Sequence, residues 1–189
     1  MSSIELNAKA LAEKAHSKQK RKTSREPFIT HLIEVNNILK KLTSDEDILA
    51  IGWLHDLVED TEYELTDLKD FPDRVLQGVK AESEDKSLSW KDRKTKQIEE
   101  LKKADETPLL GENVLMVTFA DKLANMRDLL SLYNKFGLNN MFNDFNEKDI
   151  NEQYWYYNSF YEIFSEHKHL FTNELMDEYK SILSEIWGK

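Results

Sequence analysis

Residues that break helices are scarce in this chain, and that scarcity constrains its fold more than any other feature of the sequence. Only 5 Gly and 3 Pro occur among 189 residues. Because an all-β fold needs many tight turns, which rely on these residues, the sequence favours long helices. Hydrophobic residues make up 40% of the chain, which is enough for one real core and excludes the disordered class of proteins.

Apolar side chains recur at helical spacing along most of the chain. The pattern predicts helices over residues 4–18, 28–41, 44–57, 66–71, 72–79, 90–104, 114–133, 150–166 and 173–187. The Asn-rich stretch 137–149 is predicted to connect the last helices to the rest. Because no repeat or domain linker interrupts this series, we expect a single domain over residues 1–189.

Charge and cysteine content exclude several classes of function. The formal net charge of −10 argues against a general nucleic-acid binder, which would need a dominant basic face. Without cysteine, the chain cannot form a disulfide, a thiolate nucleophile or an Fe–S cluster. The apolar stretch 114–120 is far shorter than the roughly 20 residues that span a bilayer. No signal-peptide core follows the N-terminus, so we expect a cytoplasmic protein that binds neither nucleic acid nor membrane.

Three apolar segments of the sequence each carry an imidazole or a carboxylate. His31 lies in the second predicted helix, and His55 and Asp56 adjoin near the end of the third. Asp121 directly follows the apolar run. Charged groups are rarely buried unless they are paired or bind a metal, so the combination predicts one shared cation. Taken singly, these residues have simpler interpretations, such as a satisfied core histidine, a helix cap or a surface ion pair.

The segments around these residues resemble the HD superfamily of metal-dependent phosphohydrolases. Pro27–His31, Leu54–Thr61 and Phe119–Leu129 are similar, in order, to the family's H, HDxxED and ADKxxNxRDL signatures. Within the superfamily, the likeness is to the RelA/SpoT-type (p)ppGpp hydrolase domain, including the small stand-alone alarmone hydrolases. It extends over about residues 8–165. A lone HD pair is a weak signal, whereas HDxxEDT followed by ADKxxNxRD is specific. The resemblance implies an all-α HD-domain helical bundle.

The resemblance also implies an activity. It predicts a hydrolase that removes the 3′-pyrophosphate from (p)ppGpp, giving GDP or GTP and pyrophosphate, usually with Mn²⁺. Some stand-alone members act on other nucleotides, so an HD phosphatase for a nucleoside monophosphate, a deoxynucleoside triphosphate or NADPH is an alternative. A non-catalytic nucleotide-binding domain is a second alternative, although the motif residues are all present. The sequence specifies no oligomeric state.

The predicted metal ligands are two imidazoles and two carboxylates: His31, His55, Asp56 and Asp121. Without a thiolate, this donor set suits one Mn²⁺ or Fe²⁺ per chain better than a structural zinc, and two His disfavour Mg²⁺. A divalent cation there would activate water and offset charge on a phosphoryl group. No covalent nucleophile is then required.

Glu59 and Asp60 stand four residues after the His-Asp pair. By resemblance, both are assigned to catalysis, with Glu59 as the preferred proton acceptor. On a continuous helix, residues 55 and 59 share a face, as do residues 56 and 60. One carboxylate would then reach the water beside the cation. The alternative is a pair of solvated loop acids.

Four further residues are predicted to contact the substrate: Arg21, Lys22, Asn125 and Tyr157. Arg21 and Lys22 belong to a basic cluster just before the second helix, where the family binds its base; an exposed basic turn is the alternative. Asn125 can donate and accept hydrogen bonds beside the cation. Tyr157 lies in an aromatic segment, and such segments more often belong to a core, which is the alternative.

Other polar residues carry less specific predictions. Three basic residues are candidates to face phosphate, with a structural role as the alternative for the last: Lys86, Lys122 and Arg127. Three histidines lie in no recognisable motif and are predicted to be at the surface: His16, His167 and His169. Thr118 occupies a position where the family often has lysine, which puts phosphate binding at that position in doubt.

Overall fold

Helices form the regular structure of residues 3–21 and 24–188, the part of the chain that the computed structural model describes. The α-helices are α1 (Ser3–Ala15), α2 (Ile29–Leu42), α3 (Glu46–Leu54), α4 (Leu57–Asp60), α5 (Asp73–Glu82), α6 (Trp90–Leu101), α7 (Pro108–Phe136), α8 (Ile150–Glu166) and α9 (Asn173–Trp187). Short 3₁₀ turns lie at Leu65–Leu68, Ala104–Glu106 and Lys168–Leu170. No strand occurs within these ranges, so the all-α prediction is confirmed. None of the helices found there is both long and apolar enough to cross a membrane.

Several helices begin where the sequence offers a side-chain cap. Asp45 accepts hydrogen bonds from two backbone amides at the start of α3, and Ser89 accepts one at the start of α6. Asp149 and Thr172 cap α8 and α9 in the same way. Each oxygen satisfies amides that the first turn of a helix leaves unpaired. Pro72 precedes α5 as its N-cap residue, whereas the sequence predicted it as the first helical residue.

The core forms where α3 packs among α1, α2, α5 and α7. α3 is buried continuously over residues 48–54, as its nearly all-apolar sequence predicts. α7 is 29 residues long and also packs against α8 and α9. There, Phe119 contacts three aromatic rings with centroids 4.3–6.1 Å away: Phe164, Phe171 and Tyr179. The packing of α3 and α7 in the core therefore fixes the positions from which His55, Asp56 and Asp121 extend.

The third predicted helix ends earlier than its apolar pattern indicates. α3 stops at Leu54, His55 and Asp56 form a turn, and α4 begins at Leu57. Asp56 has φ −93° and ψ 0°, in the bridge region where regular helix geometry ends. The prediction of one continuous helix through residue 57 is therefore wrong. Periodicity missed the break because the apolar pattern continues across it.

Two of the three histidines predicted at the surface are buried. The ring of His16 stacks on Phe28 with centroids 4.7 Å apart, and its Nδ1 lies 2.6 Å from Oε1 of Gln19. Nδ1 of His167 bonds to the carbonyl oxygen of Ile163 at the end of α8. The surface prediction is wrong for both residues because local contacts of this kind leave no motif in a sequence. His169 is exposed, as predicted.

Candidate metal centre

Four donor atoms from three segments of the chain converge at one point. Nε2 of His31 lies 3.1 Å from Oδ1 of Asp121 and 3.7 Å from Oδ2 of Asp56. Nε2 of His55 lies 3.1 Å from Oδ2 of Asp56 and 3.7 Å from Oδ1 of Asp121. Ligand atoms of the two histidines and Asp56 all lie within 4.8 Å of one another. Donors bound about 2.0–2.3 Å from one ion are themselves about 3–4 Å apart, so these spacings fit a shared cation.

The backbone sets the tautomer of His55. Its Nδ1 lies 3.0 Å from the carbonyl oxygen of Gly52, in the last turn of α3. Because a carbonyl oxygen only accepts, Nδ1 carries a proton, and Nε2 is the nitrogen that faces the carboxylates of the cluster. Nε2 is buried and has no hydrogen-bond partner among the residues described. A buried imidazole nitrogen without a partner, oriented by a backbone carbonyl, is what a metal ligand requires.

The cluster attracts positive charge. Burial opposes the charged form of both imidazoles. In His31 burial is the larger effect and the pKa is lowered, whereas in His55 the facing carboxylates raise the pKa well above its usual value. Burial alone would raise the pKa of both carboxyl groups. Instead, the neighbouring cationic side chains lower the pKa of Asp56 to about 2 and hold that of Asp121 well below its usual range. Both carboxylates are therefore ionised and ready to hold a cation.

Neighbours on α7 hold both carboxylate oxygens of Asp121. Nζ of Lys122 donates to Oδ2 at 2.7 Å, and Nδ2 of Asn125 donates to Oδ1 at 2.7 Å. The buried Lys122 ammonium also lies 5.5 Å and 5.2 Å from the ring centroids of Tyr156 and Phe160. The ADKxxN segment thus orients the carboxylate, and the charge of Lys122 is already paired with it.

Arg21 reaches the same segment from the connection between α1 and α2. Its Nη2 donates to Oδ1 of Asn125 at 2.9 Å, and its Nε donates to Oδ2 of Asp128 at 3.1 Å. The guanidinium carbon lies 5.8 Å from the ring centroid of Phe28. Arg21 therefore lines the cavity, as its predicted role requires, but α7 holds it in place. Lys22, the other basic residue predicted to bind substrate, lies outside the described residues.

Glu59 and Asp60 line the cavity from α4. Both oxygens of Asp60 are engaged, since Nε2 of Gln19 donates to one at 3.1 Å and Nζ of Lys86 to the other at 3.2 Å. Burial and neighbouring carboxylates raise the pKa of Glu59 to about 7, where a carboxyl group can give or take a proton near neutral pH. The break before α4 removes the shared-helix-face argument for these two acids. Glu59 and Asp60 are placed near the cluster because they line the same cavity.

The cluster opens into a cavity of about 340 Å³, within the size range of small-molecule sites. Three residues predicted to contact substrate lie in its walls: Arg21, Asn125 and Tyr157. Burial raises the pKa of the Tyr157 phenol, so it stays protonated and can donate a hydrogen bond. The aromatic-core alternative also applies to Tyr157, because its ring is buried against those of Tyr156 and Trp187.

Sequence reasoning missed one wall of this cavity. The two buried apolar residues of α6 are Ile98 and Leu101. The structure adds a second inward face made of four side chains: Trp90, Arg93, Lys94 and Gln97. Their spacing is that of one helical face, so the signal was present in the sequence. A charged face, however, is usually a solvated one, and periodicity does not distinguish the two.

Two other candidate phosphate contacts have different roles in the structure. Arg127 donates to both carboxylate oxygens of Glu178 on α9 at 2.7 Å and also to Glu34 on α2. It therefore joins three helices, in line with the structural alternative. Lys86 is exposed and bonds to residues of α4. Thr118, where the family often has lysine, donates to Glu82 at 2.7 Å.

Comparison with protein families agrees with this geometry. The family model described as the HD domain matches residues 8–136. The chain belongs to the HD-domain family. The resemblance drawn from the three motifs is thereby confirmed, and the metal dependence of HD domains agrees with the His/Asp cluster.

Sequence relatives of this HD domain include proteins named for (p)ppGpp chemistry. A GTP pyrophosphokinase of Streptomyces coelicolor is 40% identical over 120 residues, 63% of this chain and 14% of that protein. The guanosine-3′,5′-bis(diphosphate) 3′-pyrophosphohydrolase MESH1 of Drosophila melanogaster is 38% identical over 118 residues, 60% of this chain and 63% of that protein. The bifunctional (p)ppGpp synthase/hydrolase SpoT of Escherichia coli is 34% identical over 65% of this chain and 17% of its own. The match spans less than two thirds of each relative.

Solved structures share the helical fold of this HD domain. A metazoan ortholog of SpoT, described as hydrolysing ppGpp, has a TM-score of 0.75 and 25% identity, covering 98% of this chain and 96% of its own. The protein lmo0812 of Listeria monocytogenes has a TM-score of 0.69 and 26% identity, covering 87% of this chain and 98% of its own. The prediction of an HD-domain helical bundle is therefore confirmed.

Proposed function

We propose that this HD domain is a metal-dependent hydrolase that removes the 3′-pyrophosphate from (p)ppGpp, giving GDP or GTP and pyrophosphate. The observation that carries the proposal is the His/Asp cluster, with His–Asp donor distances of 3.1–3.7 Å, opening into a cavity of about 340 Å³. The names of the relatives supply the substrate class. Because that substrate is an intracellular nucleotide, we also propose a cytoplasmic location.

The proposed metal ligands are the four converging residues: His31, His55, Asp56 and Asp121. The unpartnered Nε2 of His55 and the two ionised carboxylates fit a divalent cation, and imidazole with carboxylate donors suits Mn²⁺, which we propose, or Fe²⁺. When bound, the cation supplies Lewis-acid chemistry that acidifies water and offsets charge on the phosphoryl group.

Glu59 is the proposed proton acceptor. As the water oxygen attacks phosphorus, one of its protons passes to the Glu59 carboxylate. The bond between phosphorus and the ribose 3′ oxygen breaks, and that oxygen keeps the electron pair and takes a proton from solvent to become the 3′ hydroxyl. A pKa of about 7 suits this role at neutral pH. Asp60, whose two oxygens bond to Gln19 and Lys86, is proposed to fix α4 so that Glu59 faces the substrate.

Arg21, Lys22, Asn125 and Tyr157 remain the proposed substrate contacts. Arg21 is well placed because bonds to α7 fix its guanidinium in the cavity wall. The amide of Asn125 accepts from Arg21 and donates to Asp121, which leaves one N–H for the substrate. Its main effect is therefore proposed to be on the orientation of Asp121.

The test is product release from ppGpp by the purified protein with Mn²⁺. We expect pyrophosphate and GDP in equal amounts, no activity after Asp56→Ala, and wild-type activity after Asp70→Ala, which removes an exposed acid. Release of orthophosphate alone, or cleavage of NADPH, a nucleoside monophosphate or a deoxynucleoside triphosphate in place of ppGpp, would favour the other HD phosphatases. Tight ppGpp binding without turnover in Mn²⁺, Fe²⁺ or Mg²⁺ would favour a nucleotide-binding domain.

A further inference from the structure

Arg93 and Lys94 of α6 line the cavity but have no place in the function proposed above. Their side chains are only 15% and 16% exposed. Both bind one carboxylate, Glu84, which lies between α5 and α6: Nη1 of Arg93 is 2.9 Å from Oε2, and Nζ of Lys94 is 2.5 Å from Oε1. Two cations thus share one counter-charge in a largely desolvated wall.

This sharing distinguishes the pair from other basic residues of the cavity. Arg21 is paired with Asp128, and Lys122 is paired with Asp121. Arg93 and Lys94 together carry one positive charge more than the Glu84 carboxylate that binds them both. Burial lowers the pKa of Lys94, but neighbouring groups raise it by more. The net pKa is therefore raised, and the ammonium stays charged.

Arg93 also keeps a donor that nothing satisfies. Its Nε is buried and has no hydrogen-bond partner within residues 3–21 and 24–188. A buried donor on a charged group is costly to leave unpaired, because it has lost its water without gaining an acceptor. Arg93 lines the cavity, and a planar guanidinium bound to Glu84 through Nη1 keeps further N–H donors for a phosphate oxygen there.

We propose that Arg93 and Lys94, positioned by Glu84, form a second anion subsite that binds a phosphate group of the substrate outside the metal centre. The proposal rests on the proposed function and deepens it, since (p)ppGpp carries phosphates on two ribose positions. The phosphate has two sources: the outer phosphate of the pyrophosphate being removed, or the phosphates on the 5′ carbon. Glu84 is a positioning residue, because it holds both cations towards the cavity without contacting the reacting atoms.

Calorimetric titration tests the subsite without turnover. The protein as purified is titrated with inorganic pyrophosphate and, separately, with GDP. We expect Arg93→Gln and Lys94→Gln each to weaken binding of one ligand by about tenfold or more, the range for a charged hydrogen bond. Lys96→Gln, which removes an exposed charge from the same helix, should change binding by less than about twofold.

The two ligands identify the source of the phosphate. Weakened pyrophosphate binding supports the subsite and assigns it to the group being removed, whereas weakened GDP binding supports it and assigns it to the 5′ phosphates. The proposal is overturned if the wild type binds neither ligand, or if both substitutions match Lys96→Gln. Arg93→Lys, which keeps the charge but loses the planar fork, should recover part of the affinity even if Arg93→Gln folds poorly.

Steady-state kinetics separates positioning from general damage. At pH 8.5, where the Glu59 carboxyl is ionised with or without Glu84, Glu84→Ala should raise KM for ppGpp by about tenfold with kcat changed less than about threefold. Glu84→Asp should restore part of the loss. A fall in kcat with KM unchanged would overturn the positioning role. If the wild type releases no pyrophosphate from ppGpp while the substitutions still abolish ligand binding, the proposed function fails and the subsite stands. If the wild type hydrolyses ppGpp normally and the substitutions leave ligand binding unchanged, the proposed function stands and the subsite fails.

Discussion

A hydrogen bond between His55 and Gly52 joins helix packing to the metal centre. Nδ1 of His55 donates to the Gly52 carbonyl oxygen across 3.0 Å. A Cβ added at residue 52 would lie 2.3 Å from Cδ1 of Leu39 and 3.3 Å from Nδ2 of Asn36. Glycine therefore lets α3 pack close to α2, and its carbonyl sets the tautomer of a proposed ligand.

Gly52→Ala should lower both stability and metal retention. Relieving the clash with Leu39 requires side-chain or backbone shifts that cost about 1–3 kcal/mol, and these would move the carbonyl that orients His55. Urea unfolding and elemental analysis of bound metal measure the two effects. Gly78→Ala is the control, because its Cβ would make a comparable clash, 2.4 Å from Cδ1 of Ile51, at a residue that does not itself bond to His55. Full metal retention by Gly52→Ala would contradict the link.

Asp56→Asn should remove the metal while leaving the fold intact. Loss of a ligand should weaken metal binding by at least the roughly tenfold to hundredfold that the loss of a supporting hydrogen bond costs. The measurements are metal per chain after dialysis and activity with resupplied Mn²⁺. Asp70→Asn is the matched control, because it removes an exposed acid outside the cluster. Equal metal content in both variants would exclude Asp56 as a ligand.

Glu59→Gln should slow hydrolysis and flatten its pH profile. A base works only when ionised, so a pKa of about 7 predicts that kcat/KM rises with pH through about 7 and then levels off. The substitution should lower kcat by about 10²–10⁴-fold and abolish that rise. Glu62→Gln, on the exposed loop that follows, should keep the wild-type profile. A rise near pH 7 that survives in Glu59→Gln would assign it to another group.

Glu82 should make the protein less stable as pH rises. Burial raises the pKa of its carboxyl from 4.5 to about 7, so between these values the folded state binds more protons than the unfolded state. The free energy of unfolding should therefore fall over this interval by about 3 kcal/mol.

Glu82→Gln should remove that part of the pH dependence. The amide oxygen still accepts from Thr118, which donates to Glu82 at 2.7 Å, but it carries no charge to bury. We expect the variant to be more stable than the wild type at pH 8 and similar to it at pH 5 in urea unfolding. Glu99→Gln, an exposed change on α6, should leave the difference between the two pH values unaltered.

Arg127→Ala should destabilise the bundle by about 1–2 kcal/mol. The side chain binds both oxygens of Glu178 and also Glu34, and partial exposure limits the contribution of such pairs. Chemical unfolding of Arg127→Ala, Glu178→Ala and the double variant measures the coupling directly. Additive effects would show that the Arg127–Glu178 pair contributes little. Lys135→Ala on the same helix is the control, because it measures the effect of losing a surface cation.

Short sequence motifs predicted many residues of the candidate site. His31, His55, Asp56 and Asp121 were selected as ligands from the sequence, and the structure brings them together. Their roles as ligands, like the extent of the domain, stay predictions. The motifs succeeded because a ligand set is carried by residue identities at fixed intervals.

The sequence by itself determined the helices, since the period of apolar residues and the capping side chains are local properties of the chain. Tertiary structure alone decided three things: the turn at residues 55–56, the burial of His16, and the inward face of α6 that carries Arg93 and Lys94. The turn was missed because the apolar pattern continues across it, whereas the other two share one physical reason. The sequence does not show whether a polar side chain faces water or the protein interior. Contacts between distant segments of the chain decide it.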